Sequence, residues 1–173
     1  MTLKDIAEKT LAFLGVNADM DQTGDEQTFV TGCVKDALMR LTGEIVDVRT
    51  KKKVVAENGH IPYSSVDADF KRAFSLKKNG KRFSFTESAD GLETEEDGEY
   101  EVAYAYFVRP ATLTSVVALP PKYSVNVLAL GAAGEYCYRK GMYKESEVYD
   151  DRFLTAVTAL DRVAKDVTVR RGE

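Results

Sequence analysis

Residues 129–157 read ALGAAGEYCYRKGMYKESEVYDDRFLTAV, and the fold turns on them. Ala129, Gly131, Ala132, Ala133 and Gly134 are too small to hold a neighbouring element at arm's length. In a helix such residues imply close packing against a second helix. Gly141 supplies the left-handed residue that ends a helix, and a second apolar stripe follows it. In that stripe Tyr149, Phe153, Ala156, Leu160 and Val163 recur at helical spacing. The segment is therefore a helical hairpin. Pro120-Pro121 marks its entry, and the third helix of the chain is expected from about Tyr123 to Lys140.

The other end of the chain reads the same way. Leu3, Ile6, Ala7, Leu11 and Leu14 form one stripe, with Thr2 placed to cap it and Gly15 to close it. Thr23 stands three residues before Glu26, the spacing of a capping box. A second helix is then expected through Phe29, Val30, Cys33, Val34, Ala37, Leu38 and Leu41, continuing weakly past Gly43 to Ile45.

Between the two pairs the period changes to two. VVAENGHIPY and FSLKKNGKRFSF each place Asn-Gly between strand-like flanks, a hairpin signal. SADGLETEEDGEYEVAYAYFV adds Asp-Gly twice and then a long strand. There Tyr100, Val102, Tyr104, Tyr106 and Val108 share one face, which reads as core, while Ala103, Ala105 and Phe107 share the other. The links are too short for parallel crossovers, so an antiparallel meander is expected. The predicted fold is α+β: a small four-helix body, two N-terminal and two C-terminal helices, with an inserted antiparallel β-meander. It is read as one domain over 1–173. Helices occupy 1–48, the β-rich insertion 49–110, the helical hairpin 120–166 and a tail 167–173.

At 173 residues the chain can bury about 70% of its extended surface, enough for a core without disulfides or metal. A net charge of −4 argues against gripping nucleic-acid phosphates, which calls for a clustered excess of Lys and Arg. The N-terminus alternates charged and apolar residues, unlike a signal peptide, and no apolar run approaches the ~20 residues of a membrane span. A soluble cytosolic product is expected.

Catalytic chemistry is not legible. His60, the only histidine, follows a hairpin Asn-Gly, and its sequence neighbours offer no partner set. Cys33 and Cys137 each lie among apolar residues of a predicted helix and read as buried free thiols. With three Cys and His residues in separate elements, no zinc site is predicted. GAAGEY lies within a helix, so it is no phosphate loop. No enzyme, metal or cofactor is assigned.

Two charge runs stand out. Asp90 to Glu101 holds seven carboxylates and no cation. It reads as a solvated hairpin tip, or as a channel- or partner-facing acidic loop comprising Glu93, Glu95, Glu96, Asp97 and Glu99. Arg49 to Lys53, RTKKK, is the opposite sign: either a helix end favoured by the dipole, or a patch that meets the acidic run of another copy.

The hairpin at 129–157 shares Gly134, Gly141 and Tyr143 with tetratricopeptide repeats. Leu130, Ala133, Cys137, Ser146 and Asp150 depart from that pattern, and a β-rich segment stands where a neighbouring repeat would be. The whole layout resembles another group, the head–tail connector (adaptor) proteins of tailed bacteriophages. The likeness rests on LKDIAEKTLAFLG and DEQTFVTGCVKDALMRLTGEIV at the start, NGHIPYSSV, NGKRFSF and DGEYEVAYAYFVRP within, and LPPKYSVNVLALGAAGEYCYRKGMYKESEVYDDRFLTAV at the close. The resemblance implies a structural virion protein, assembled in the host bacterial cytoplasm. It would form a homo-oligomeric ring, dodecameric to match the portal, beneath the portal protein and bound to tail or neck proteins. DNA passes through such a ring without specific binding, and acidic groups facing the channel would not adsorb phosphate. Lys165, Arg170 and Arg171 would then form a portal-anchoring tail. A tail-completion or neck protein of a phage tail-like particle is an alternative. So is a small tetratricopeptide-like peptide-binding module, with a groove beside Tyr136 and Tyr143.

Overall fold

The structure, a computed structural model, describes residues 1–17, 19, 20 and 24–169, with side chains through Leu160. In chain order it contains α1 (Leu3–Leu14), α2 (Asp25–Arg40), a π-helical turn (Leu41–Ile45), β1 (Val48–Ala56), β2 (His60–Pro62) and α3 (Tyr63–Val66). These are followed by β3 (Phe70–Lys78), β4 (Lys81–Phe83), β5 (Thr86–Glu87), β6 (Gly91–Glu93), β7 (Gly98–Tyr106), α4 (Val125–Arg139) and α5 (Tyr143–Val169). The class is mixed helix and antiparallel sheet. Residues 1–40 and 109–173 form one compact unit, and residues 41–108 form the other.

In the helical unit, α1 starts on a capping box: the Thr2 hydroxyl accepts from the Asp5 amide and the Asp5 carboxylate accepts from the Thr2 amide. The hydrogen bond from the Thr2 backbone holds the Asp5 carboxyl below its usual range. Gly15, at φ 66°, closes the helix. The amides of Leu3 and Lys4 donate to the carbonyls of Ser115 and Leu113, so the strap after residue 109 ties down the N-terminus. Leu3, Ile6, Ala7 and Leu11 are buried, as are Val30, Cys33, Val34, Ala37 and Leu38 of α2. Thr23, expected to cap α2, lies outside the described residues.

Helix α4 packs on α1, α2 and α5, and its small residues make this possible. A Cβ at Gly131 would lie 3.1 Å from the ring of fully buried Phe153, and one at Gly134 would lie 2.6 Å from an Asp150 oxygen. Ser146 Oγ donates to the Gly134 carbonyl (3.0 Å), and Asp150 accepts from Arg40 of α2 (2.9 Å). The two residues that spoil a tetratricopeptide pattern in α5 are thus used here to join helices.

The second predicted helix does not run unbroken to Ile45. It ends as an α-helix at Arg40, and the next turn widens so that the Val46 amide reaches the Leu41 carbonyl (2.8 Å). Within the β-rich unit, the Thr42 carbonyl in this turn accepts from Lys71 Nζ (2.8 Å).

The β-rich unit contains two antiparallel sheets, ordered β1-β7-β3-β4 and β2-β6-β5. The expected meander is therefore corrected: β7 lies between β1 and β3, not beside its neighbour in sequence. Length explains it, because nine-residue β7 needs partners of equal length, and β6 has only three residues. β1 and β3 each have nine. The core contains Val54, Ile61, Val66, Leu76, Leu92, Tyr100, Val102 and Tyr104, so the aromatic face of β7 is core as expected. Asn58-Gly59 and Asn79-Gly80 are both left-handed pairs suited to tight turns. The second joins β3 to β4. The first instead carries the chain from one sheet to the other, leaving only a Glu57–His60 bridge.

Candidate functional site

The acidic run folds back on the unit's own cations. Antiparallel register sets Lys51 opposite Ala103, Lys53 opposite Glu101 and Val55 opposite Glu99. Diagonal reach along that face then pairs Lys51 Nζ with Glu101 (3.1 Å) and Lys53 Nζ with Glu99 (2.9 Å). Lys78 holds Glu96 at 2.7 Å and also donates to the Asp97 carbonyl. The Asp97 carboxylate accepts from the Gly59 amide (2.7 Å), and Glu93 contacts His60. Of the predicted acidic loop, Glu93, Glu96, Asp97 and Glu99 have partners in this chain. Glu95 is exposed and makes no such contact among the described residues. Arg49 to Lys53 lies in β1, so the helix-end reading is corrected, because strand pairing with β7 claims these residues.

His60, without a partner in the sequence reading, sits between two carboxylates. Its Nδ1 is 2.8 Å from Glu93 Oε1 and its Nε2 is 3.9 Å from Asp90 Oδ2. Pairing of β2 with β6 sets His60 opposite Glu93 and Pro62 opposite Gly91. A Cβ at Gly91 would lie 2.4 Å from the Ile61 carbonyl and 2.5 Å from the His60 ring, so only glycine admits the imidazole there. One ligand atom from each of His60, Asp90 and Glu93 lies within 4.8 Å of the others, the one such His/Cys/Asp/Glu group among the described residues. These are donors a zinc-class ion accepts, but the Asp90 side chain is 81% exposed. In the structure the cluster ties β2 to β6. The signal that could have found it is the Asp90-Gly91 dipeptide, but only with the strand order known.

At one end of the larger sheet, Asp47 is shared by Lys71 (3.2 Å), Arg72 and, at 3.9 Å, Arg49. Burial works against its charge, yet hydrogen bonds from Arg72 and Lys71 hold its carboxyl below the usual range. Arg49 and Arg72 both lie against the ring of Phe74. Sequence reasoning singled out none of these but Arg49, since the elements that carry the others meet only through β7.

Cys33 and Cys137 are free and buried, as expected. Burial pushes the Cys33 thiol up to about 11 and raises Cys137, which keeps both protonated and poor nucleophiles at neutral pH. Tyr136 is buried whereas Tyr138 and Tyr143 are exposed and meet edge to face. Arg170, Arg171 and the Lys165 side chain lie outside the described residues. Among the described residues no helix is long and apolar enough to cross a membrane.

Comparison with protein-family models and with curated proteins finds no match to this chain.

Proposed function

We propose that this chain is a structural building block of a tailed-phage particle, a head–tail connector whose copies form a ring between portal and tail. The observation that carries the reading is the union of the chain's two ends. The N-terminus hydrogen-bonds to residues 113–117 and α4 packs on α1, α2 and α5. Residues 41–108 form a unit of their own, between the two stretches of chain that make the helical one. This arrangement supports the connector reading, in which rigid copies make heterologous, ring-closing contacts. Portal protein and tail or neck proteins are the partners, the virion is the location, and DNA passes through the ring. Glu95 is the loop carboxylate best placed to act outside its own chain, since its neighbours already have partners within it.

Electron microscopy of the concentrated protein, alone and mixed with portal, tests this. Closed rings are the expected result; a monomer at every concentration, with and without portal, overturns it. Exposed Tyr138 and Tyr143 favour a second reading, a peptide-binding module, which predicts a stable monomer that captures peptides at the α4–α5 turn.

A further inference from the structure

The outer face of the larger sheet gathers a charge excess that the total conceals. Register places Arg49, Lys51 and Lys53 of β1, Arg72 and Lys77 of β3, and Arg82 of β4 on this face. The strip of β7 between them carries Glu99, Glu101, Ala103 and Ala105. With Asp47 included, six cations meet three carboxylates, in a chain whose net charge is −4. The paired cations Arg49, Lys51, Lys53 and Arg72 are 65%, 58%, 72% and 54% exposed, Arg82 is exposed and Lys77 is half-buried. Lys77 and Arg82 make no ion pair among the described residues.

The arrangement is as telling as the sum. Arg49 and Arg72 lie across Ala105 from each other, and Lys53 and Lys77 across Glu101. Two strand spacings separate each pair, about 10 Å, and successive outward residues along a strand lie about 7 Å apart. Cations of β1 and β3 therefore flank a strip of two carboxylates, Glu99 and Glu101, followed by two alanines, of which Ala105 is buried. Beside Lys53 and Lys77 a hollow of about 200 Å³ opens, lined also by Asn79, Gly80, Glu99 and Glu101.

We infer that this face binds the phosphate backbone of nucleic acid without reading its sequence. A protein partner fits less well, because protein interfaces centre on buried apolar or aromatic anchors. Here Phe74 is covered by Arg49, and Val55 is the one large exposed apolar side chain. Phosphate binding needs clustered, exposed cations, and the β1 edge of this face supplies them. This inference is independent of the ring reading and survives its failure.

The test is fluorescence anisotropy with a labelled DNA duplex of mixed sequence, titrated with the full chain. Wild type binds in the micromolar range, roughly 10⁻⁶–10⁻⁴ M, whatever the sequence. With about four phosphates engaged, affinity falls about 100-fold between roughly 50 and 200 mM salt. The double variant K77E/R82E weakens binding at least about tenfold and flattens the salt slope. K144E, the same charge reversal at an exposed position of α5, leaves binding within about twofold. Circular dichroism confirms that each variant is folded; should K77E/R82E not fold, the neutral pair K77Q/R82Q replaces it. No retention of the duplex, an unaffected double variant, or an equal loss in K144E each overturns the inference. So does tighter binding of polyglutamate than of duplex, which would assign the face to an acidic protein.

Discussion

The helical unit and the β-rich unit are held together by different means. In the first, glycines let backbones approach: Gly131 receives Phe153, and Gly134 receives both Ser146 and Asp150. In the second, an aromatic core is sealed beneath one face of a sheet whose other face is laced with ion pairs. Close packing has no tolerance for lost volume, whereas exposed ion pairs contribute little each, because water screens them and ordering long side chains costs entropy. The two units should therefore respond unequally to substitution.

The largest effect is expected from Phe153→Ala, which empties a fully buried site and should cost about 3–5 kcal/mol. Urea unfolding followed by far-UV circular dichroism measures it. Hydrogen exchange of the β7 amides, followed in parallel, reports the β-rich unit separately. If both signals fall together, the two units unfold as one block and the contrast is lost.

Gly91→Ala comes next. Its Cβ would meet the Ile61 backbone carbonyl as well as His60, so β2 and β6 must part, at about 1–3 kcal/mol read from hydrogen exchange of the strand amides. Ser146→Ala removes a buried hydrogen bond to the Gly134 carbonyl and should cost about 1 kcal/mol in the helical unit.

Acid gives a smaller effect of predictable sign. The folded-state pKa of Asp47 is depressed, so its contribution is fully present above the ordinary carboxylate value of 3.8. It is lost as pH falls through the lower folded value. Asp47→Asn should flatten this part of the protein's acid dependence, as measured by urea unfolding at stepped pH. The smallest change is expected from Lys51→Met, which breaks an exposed pair with Glu101 and should leave the unfolding midpoint unmoved. A marked shift there would show that the lattice of charges on the sheet acts as a network.

Much of the helical unit was legible. The stripes, Thr2, Gly15 and the small residues of α4 are local signals, read within a few residues of where they act. Less of the candidate sites was legible. The acidic run and the basic run stood out by composition, but that Lys53 reaches Glu99 and that His60 meets Glu93 depends on which strands pair. Turn chemistry was read correctly at both Asn-Gly pairs, yet at Asn58-Gly59 the turn joins two sheets instead of two paired strands.

From residue order alone came the alternation of periods, the caps and turns, the buried thiols and the close approach of the last two helices. Each of these is set by torsional preference or side-chain volume over a short span of chain. Only the tertiary structure decided that β7 lies between β1 and β3, and hence which charges are neutralised and which remain on the outer face. Strand order belongs to that second class because backbone hydrogen bonds carry no residue identity. A long strand takes partners that match its length and cover its faces, wherever in the chain they lie.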